Sequence, residues 1–100
     1  MKYVLSEGAE LDLNAIWEYR AQDNIDAADG GIAKLFDALE AIARIPGMGH
    51  KREDLTAFPV LFWPVEAYLV IYRVQSEQIQ IVAVTQGARD IPSFLRRRNQ

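Results

Sequence analysis

The chain has 100 residues, 50% of them hydrophobic, with 11 basic and 14 acidic side chains and a formal net charge of −3. This size predicts one domain, residues 1–100, and the apolar content excludes a disordered chain, while no apolar run reaches the roughly 20 residues that span a membrane. The acidic net charge argues against a protein that holds nucleic acid mainly through phosphates. The lack of cysteine excludes disulfides and thiolate catalysis, and together with the lack of a secretory signal it favours a cytoplasmic protein.

A short strand and a helix come first in chain order. Residues 3–5 are apolar and predict the strand, and Ser6 is a suitable N-cap for a helix that runs to about residue 22. The carboxylates of Glu7 and Glu10 lie in its electropositive first turn. Four side chains recur at helical spacing and are expected to face the core, namely Ala9, Leu13, Ile16 and Trp17.

A second helix begins after Asp23-Asn24, a pair that ends the first helix and caps the next. Its apolar residues alternate at intervals of three and four and predict a long buried stripe, formed by Ile25, Ala28, Ile32, Leu35, Leu39 and Ile42. The two helices are therefore expected to form an antiparallel hairpin. Gly30-Gly31 either permits close approach of the first helix or marks a kink, and Pro46-Gly47 ends the second helix.

The segment of residues 47–55 is glycine-rich and cationic, and it precedes three predicted strands. Such a loop is either a binding segment on a rigid scaffold or a plain connector. The strands are expected at about residues 60–65, 68–75 and 78–85, and the middle one is apolar on both faces and hence central. Pro64 lacks an N–H and should mark a strand end or a bulge. A short C-terminal helix follows, with Asp90 as its N-cap.

Few side chains are candidates for chemistry. His50 is the only histidine, so no zinc site with a second His or a Cys is available, and it remains a possible acid–base group or a partner contact. Tyr68 and Tyr72 share one strand face and are interpreted as core rather than as a base-stacking surface. Arg73 and Arg89 need partners to be buried, and antiparallel pairing would place them at opposite ends of the last two strands.

These features together resemble the RelE/ParE superfamily of bacterial type II toxins. The resemblance rests on the first-helix pattern around Asp12, the Pro46-Gly47-Met48-Gly49 loop, the strand segment of residues 62–73 and the Gly87-x-Arg89-Asp90 ending. It implies an α+β fold: an N-terminal strand, a two-helix antiparallel hairpin, a three-stranded antiparallel meander and a short C-terminal helix.

Two activities share that fold, so fold alone does not select one. RelE-like members cut mRNA on the ribosome without a metal, using basic side chains to stabilise the charge on the scissile phosphate. ParE-like members bind DNA gyrase, stall its cleaved-DNA complex and block replication. The basic positions of RelE-like members correspond here to Val60, Phe62 and Leu69, with Leu95 in the region of their C-terminal tyrosine, and only Arg89 is retained. The lost cations favour the ParE-like branch.

The sequence therefore predicts a ParE-like gyrase inhibitor that arrests growth and takes part in plasmid stabilisation, without enzymatic activity, cofactor or metal. The residues predicted to contact gyrase or its bound DNA are Lys51, Arg52, Arg89, Arg96, Arg97 and Arg98. The resemblance also implies a cognate antitoxin and a toxin–antitoxin hetero-oligomer. Two alternatives stay open: a non-toxic antitoxin-binding module, and a ribosome-dependent mRNA endoribonuclease with His50, Arg52, Arg73 and Arg89 as its catalytic residues.

Overall fold

The fold consists of a four-stranded sheet with helices on both faces, as seen in a computed structural model that describes residues 1–98. Residues 99 and 100, which the predicted domain includes, lie outside this range. The strands are β1 (Lys2–Leu5), β2 (Leu61–Val65), β3 (Tyr68–Val74) and β4 (Gln78–Gln86). The helices are α1 (Glu7–Ala21), α2 (Ile25–Arg44) and α3 (Ile91–Arg98), with a 3₁₀ turn at Pro46–Met48. The predicted order of elements and the α+β class are confirmed.

The strand order is β1-β4-β3-β2, so the apolar strand β3 is internal, as predicted. Strands β2, β3 and β4 form the predicted antiparallel meander. Strand β1 joins the sheet parallel to β4, with Leu5 opposite Ile81, and the N–H of Ser6 donates to the carbonyl of Ile81 at 3.0 Å. This pairing was not predicted, because it joins segments more than seventy residues apart that carry no local signal for each other.

The larger hydrophobic cluster lies between the sheet and the α1–α2 hairpin. Its buried members are Ala9, Leu13, Leu35, Leu39, Ile42, Val70, Tyr72, Ile79, Ile81 and Val84. Ile16 is partly buried against this cluster and Trp17 is half-buried. The prediction was wrong for Ile25, which is 59% exposed because it is the first residue of α2 and lies beyond the reach of the sheet.

The opposite face of the sheet is covered by α3 and by the loop before β2. The second cluster comprises Val60, Phe62, Ile71, Ala83, Ile91, Phe94 and Leu95. A register shift between Ile71 and Tyr72 leaves Val82 unpaired in β4, and both Val82 and Ala83 then face α3. The bulge lies here and not at Pro64, which is the next-to-last residue of the edge strand β2.

All three predicted helix caps are present. Ser6 Oγ accepts the N–H of Ala9 at 3.0 Å, and Asn24 Oδ1 accepts that of Ala27 at 3.0 Å. Asp90 accepts the N–H of Ser93 at 3.3 Å in the first turn of α3. Each cap satisfies an N–H that has no partner inside its helix, which explains why these boundaries were predictable from sequence.

Of the two glycines inside α2, only Gly31 lies against a side chain of α1. A Cβ at Gly31 would lie 2.9 Å from Cζ of Arg20, whose guanidinium crosses from α1, whereas a Cβ at Gly30 would meet nothing within 4 Å. Gly31 thus leaves room for the side chain of Arg20 from α1, while neither a kink nor a close approach of the helix backbones is assigned to it.

Candidate functional site

The buried Tyr72 holds the loop after α2 in place by two hydrogen bonds. The hydroxyl of Tyr72 accepts the N–H of Gly49 at 2.9 Å and donates to the carbonyl of Pro46 at 2.7 Å. Burial raises the pKa of this hydroxyl, partly offset by the hydrogen bond from Gly49. A Cβ at position 49 would lie 2.6 Å from the Tyr72 oxygen, so the contact requires glycine. The core therefore fixes the path of this loop.

His50 follows this anchor and pairs with the edge of β2. Its N–H donates to the carbonyl of Phe62, and its own carbonyl accepts the N–H of Phe62, both at 2.8 Å. The exposed imidazole stacks on Trp63, with 5.9 Å between ring centroids and 22° between planes. The backbone bridge and the stack give the only histidine a defined orientation toward solvent.

A cleft of about 530 Å³ opens beside this histidine, between the β2–β3 end of the sheet and the start of α3. We call it the His50 cleft; its lining includes His50, Arg52, Tyr68, Leu69, Arg89 and Ile91. It brings together three of the four residues predicted for a nuclease. The fourth, Arg73, lies opposite Gln80 at the other end of β3 and lines a different cavity with Arg98. The predicted separation of Arg73 from Arg89 is confirmed.

Two charged residues that line the His50 cleft, Arg52 and Glu66, form ion pairs with residues outside it. Arg52 donates two hydrogen bonds to the carboxylate of Asp54, at 2.9 and 2.8 Å, which raises the pKa of Arg52 and lowers that of Asp54. Lys34 donates to Glu66 at 2.8 Å and lowers the pKa of that carboxyl. All four side chains are exposed, so these pairs are weak and can open for a partner.

The predicted arginines of the C-terminal region have different environments. Arg98 makes a bidentate pair with Asp12 at 2.9 and 3.0 Å, and both side chains are at most one-quarter exposed. Its guanidinium also lies 4.7 Å from the ring centroid of Phe94, while that of Arg89 lies 4.8 Å from the same centroid. Arg98 thus holds α3 to α1, a contact that sequence reasoning missed because the two partners are 86 positions apart.

Arg96 and Arg97 are exposed in the last turn of α3. Arg96 donates to Ser93 Oγ at 3.0 Å. The pKa of Asp90 is lowered, first by hydrogen bonds from Ser93 and then by the charges of Arg96 and Arg97. These two arginines are therefore available to a partner, unlike Arg98.

The positions that carry cations in RelE-like nucleases are apolar here and lie in the second cluster. Val60 is 7% exposed and Phe62 is 2% exposed, and both pack beneath α3. Leu69 packs against the same cluster, and Leu95 is one of its buried members. These four positions therefore present no cation to a phosphate.

Neither a metal site nor a membrane span is found in residues 1–98. No group of three or more His, Cys, Asp or Glu side chains in that range is arranged to hold a metal ion. None of the three described helices combines the length and the apolar character needed to cross a bilayer.

The sequence model of the ParE toxin of type II toxin–antitoxin systems, parDE, matches residues 3–91, from β1 to the first residue of α3. The chain belongs to the ParE toxin family. This ParE-family chain is also similar to a solved chain described as "Chromosomal ParDE TA system from P. aeruginosa", with a TM-score of 0.73 and 19% identity. That match covers 86% of this chain and 95% of the other, and at this identity it shows the shared fold. No curated protein sequence matches the chain.

Membership of the ParE family confirms the resemblance on which the sequence analysis relied. It makes the chain the toxin component of a type II system and implies an antitoxin as its partner. The roles of the six residues predicted to contact the target stay predictions. Five of these side chains are exposed, whereas Arg98 is paired with Asp12.

Proposed function

We propose that this chain inhibits DNA gyrase by binding it, blocks replication and is neutralised by its antitoxin. The observation that carries the proposal is the apolar filling of the sheet face beneath α3, at the positions where nuclease members of the superfamily hold cations. Val60 and Phe62 are buried there, in a chain whose family is ParE. Inhibition by binding requires no catalytic constellation, and this fits a site from which those cations are missing.

The magnitude of the missing stabilisation supports this choice. One donor aimed at a developing negative charge contributes about 3 kcal/mol to a transition state, and three basic positions are absent here. Losing all three would slow a phosphodiester cleavage by several orders of magnitude, since each 1.4 kcal/mol is about tenfold in rate. The remaining cations suit recognition better than catalysis.

The contact surface that we propose for gyrase comprises the exposed cations around the His50 cleft and on α3: Lys51, Arg52, Arg89, Arg96 and Arg97. The arginines can bind carboxylates or phosphates bidentately, which gives orientation as well as attraction. Arg98 belongs to the fold through Asp12 and is left out of this surface.

A supercoiling assay tests the proposal with purified chain, gyrase, relaxed plasmid and ATP. We expect loss of supercoiling together with accumulation of cleaved plasmid. The antitoxin, added before gyrase, should restore supercoiling. Undisturbed supercoiling by folded chain, at a concentration well above that of gyrase, would overturn gyrase as the target.

Matched variants then map the surface. Arg89→Ala and the double variant Arg96→Ala/Arg97→Ala should raise the inhibitory concentration about tenfold or more, as truncation of central arginines in an interface does. Arg44→Ala is the control, because Arg44 is an exposed arginine at the end of α2 that does not line the His50 cleft. An effect of Arg44→Ala equal to that of Arg89→Ala would mean that only net charge matters.

A ribosome-dependent endoribonuclease is the second candidate, and one observation favours it. His50, Arg52 and Arg89 line a single cleft, with the imidazole oriented by Trp63. Translation extracts containing a reporter mRNA test this possibility by primer extension. Cleavage within codons that disappears in His50→Ala would favour the nuclease, whereas intact mRNA in an extract that contains the folded chain would leave gyrase as the target.

A further inference from the structure

A second cavity, of about 310 Å³, adjoins the His50 cleft at the end of the sheet where β3 begins and β4 ends. It lies beside α1, with Tyr19 in its lining. Tyr68 and Arg89 line both cavities, so the two meet at these side chains and form one groove. We call it the Arg89 groove. It passes around the end of the sheet, because Leu69 packs against the second cluster and Tyr68 against the larger one.

Arg89 is the one charged side chain of this groove that has no ion-pair partner within residues 1–98. The other three are paired: Arg52 with Asp54, Glu66 with Lys34 and Asp12 with Arg98. The guanidinium of Arg89 is exposed and lies 4.8 Å from the ring centroid of Phe94. Because Arg89 stands where the two cavities meet, the groove suits an occupant with one negative charge near its middle.

Apolar and aromatic side chains lie in the groove on both sides of Arg89. On the α3 side the lining includes Leu55 and Leu69, both partly buried. On the α1 side Tyr19 is 70% exposed, and Tyr68 is partly buried beside it. Tyrosine and arginine are among the residues that most often dominate the binding energy of protein interfaces. A cation between apolar surfaces therefore fits a peptide with an acidic residue between apolar ones.

The end of β4 adds main-chain groups to the groove. Strand β1 pairs with β4 only as far as Ile81, so the outer edge of residues 82–86 has no neighbouring strand. The N–H of Val84 points to this side and donates to Asp12 at 3.0 Å, so the carbonyl of Val84 and, by alternation, the N–H of Gln86 point there too. These two groups have no partner within residues 1–98. A peptide main chain offers them a donor and an acceptor, whereas a phosphate offers acceptors only.

The carboxylates in the groove disfavour DNA as its occupant. Glu66 lines the groove on one side of Arg89 and Asp12 on the other. A DNA strand carries a negative charge at every nucleotide, so a strand laid along the groove would place phosphates near both carboxylates. A protein segment can instead place one carboxylate at Arg89 and neutral side chains elsewhere.

We propose that the Arg89 groove binds an extended segment of the gyrase protein, in which one Asp or Glu lies between apolar side chains. Its carboxylate pairs with Arg89, its apolar side chains contact Tyr19 and Leu69, and its main chain bonds to Val84 and Gln86. This inference rests on the proposed inhibition of gyrase and names the component of the gyrase–DNA complex that this surface recognises.

Binding to gyrase with and without DNA tests the class of partner. The probe is purified gyrase free of DNA, and fluorescence anisotropy of the labelled chain measures the dissociation constant. We expect the chain to bind DNA-free gyrase, and a duplex bound to gyrase should change the dissociation constant by less than about tenfold, since no phosphate contributes to the contact. Binding that occurs only in the presence of DNA would overturn the inference.

Matched variants locate the contact. Tyr19→Ala and Arg89→Glu should each weaken binding to DNA-free gyrase about tenfold or more. Leu11→Ala is the control for Tyr19→Ala, because Leu11 is an exposed side chain of the same helix that lines neither cavity. Arg44→Glu makes the same charge change as Arg89→Glu outside the groove. Thermal denaturation verifies that all four variants are folded, and equal losses in variants and controls would overturn the site.

Amide hydrogen exchange, resolved to single residues by mass spectrometry, tests the main-chain contact. Exchange at the Gln86 amide should slow about tenfold or more in the complex with DNA-free gyrase. Gly87 is the internal control, because its N–H already donates to the carbonyl of Ala67 at 2.9 Å and its exchange should change little. Exchange at Gln86 as fast in the complex as in the free chain would overturn the main-chain pairing.

The outcomes separate this inference from the proposed function. Inhibited supercoiling, together with DNA-free binding that depends on Tyr19 and Arg89, supports the groove. Inhibited supercoiling without that dependence overturns the groove and leaves gyrase as the target. Neither inhibition nor binding by the folded chain overturns both. Slowed exchange at Gln86 in a complex with the antitoxin, and not with gyrase, overturns the inference and makes the antitoxin the occupant.

Discussion

At the scale of single residues, Tyr72 connects the hydrophobic core to the candidate site. Its ring is fully buried among the side chains beneath α1 and α2, and its hydroxyl holds the loop that leads to His50. The sequence analysis interpreted Tyr72 as core, which is confirmed. The role of its hydroxyl was not visible in the sequence, because Pro46 and Gly49 come near it only through the fold.

Tyr72→Phe keeps the ring and removes the hydroxyl. We expect the free energy of unfolding to fall by about 1–3 kcal/mol, because the N–H of Gly49 and the carbonyl of Pro46 lose their partner. Urea denaturation measures the change. Tyr19→Phe is the control, since Tyr19 is 70% exposed, and it should change stability by less than about 0.5 kcal/mol. Equal stabilities of the two variants would contradict the loop anchor.

The same hydroxyl predicts a pH dependence. Burial raises the pKa of Tyr72 above its ordinary value of 10.0. The folded state thus binds this proton more tightly than the unfolded state, so the stabilisation is full below pH 10 and decreases as pH rises through the folded pKa. Urea denaturation between about pH 9 and pH 11 should show a smaller loss of stability in Tyr72→Phe than in the parent chain. An equal loss of stability with pH in the two proteins would contradict the raised pKa of Tyr72.

At the scale of elements, α3 depends on one ion pair for its attachment to α1. The carboxylate of Asp12 accepts hydrogen bonds from both terminal guanidinium nitrogens of Arg98. It also accepts the N–H of Val84, which follows the β4 bulge. A Cβ at Gly8 would lie 2.9 Å from Cζ of Arg98, so the absence of a side chain there makes room for the pair. The pair is largely withdrawn from solvent, which makes its loss costly.

Arg98→Met retains most of the side-chain length and removes the charge. We expect a loss of about 2 kcal/mol in the free energy of unfolding, below the range for fully buried pairs because Arg98 is 25% exposed. Arg97→Met, in the same helix turn and exposed, should be nearly neutral. Urea denaturation measures the free energy of unfolding of both variants. A double-mutant cycle with Asp12→Asn then isolates the interaction energy between Asp12 and Arg98. Additive losses in that cycle would show that the two side chains act separately.

The two glycines of α2 predict opposite responses to a methyl group. Gly30→Ala should raise the free energy of unfolding by about 1 kcal/mol, because alanine favours the helix and the site is open. Gly31→Ala should gain less or lose stability, since the guanidinium of Arg20 must move aside. Thermal denaturation followed by circular dichroism compares them. A larger gain at Gly31 than at Gly30 would contradict the packing of Arg20.

At the scale of the whole molecule, the charges are segregated. The acidic residues concentrate on α1 and α2, whereas exposed cations surround the His50 cleft and end α3. This segregation gives the molecule one mainly acidic surface and one mainly basic surface. The net charge of −3 disfavours binding of free nucleic acid by the isolated chain.

We therefore expect the isolated chain to bind a short DNA duplex with a dissociation constant weaker than about 0.1 mM at 0.15 M salt. Fluorescence anisotropy of a labelled duplex measures the affinity, with gyrase as the positive control. Micromolar binding that Arg89→Ala abolishes would mean that the cationic surface recognises DNA directly and not gyrase or a gyrase–DNA complex.

The sequence by itself determined the features that depend on neighbouring residues. Capping side chains such as Ser6 and Asn24, the apolar spacing of α2 and the alternation in β4 act over a few positions, so their structural consequences can be read locally. Val60 and Phe62 could also be read before their burial was known, because the resemblance to the RelE/ParE superfamily places cations of the nuclease branch at these positions.

Only the tertiary structure decided which distant residues meet. The parallel pairing of β1 with β4, the bond from Asp12 to Arg98 and the pairing of His50 with β2 all join positions that carry no local signal for each other. The bulge at Val82 has no neighbouring glycine or proline that would mark it in the sequence. The same long-range pairing separates Arg73 from the His50 cleft and places β1 at an edge of the sheet, because register and strand order are properties of the assembled sheet.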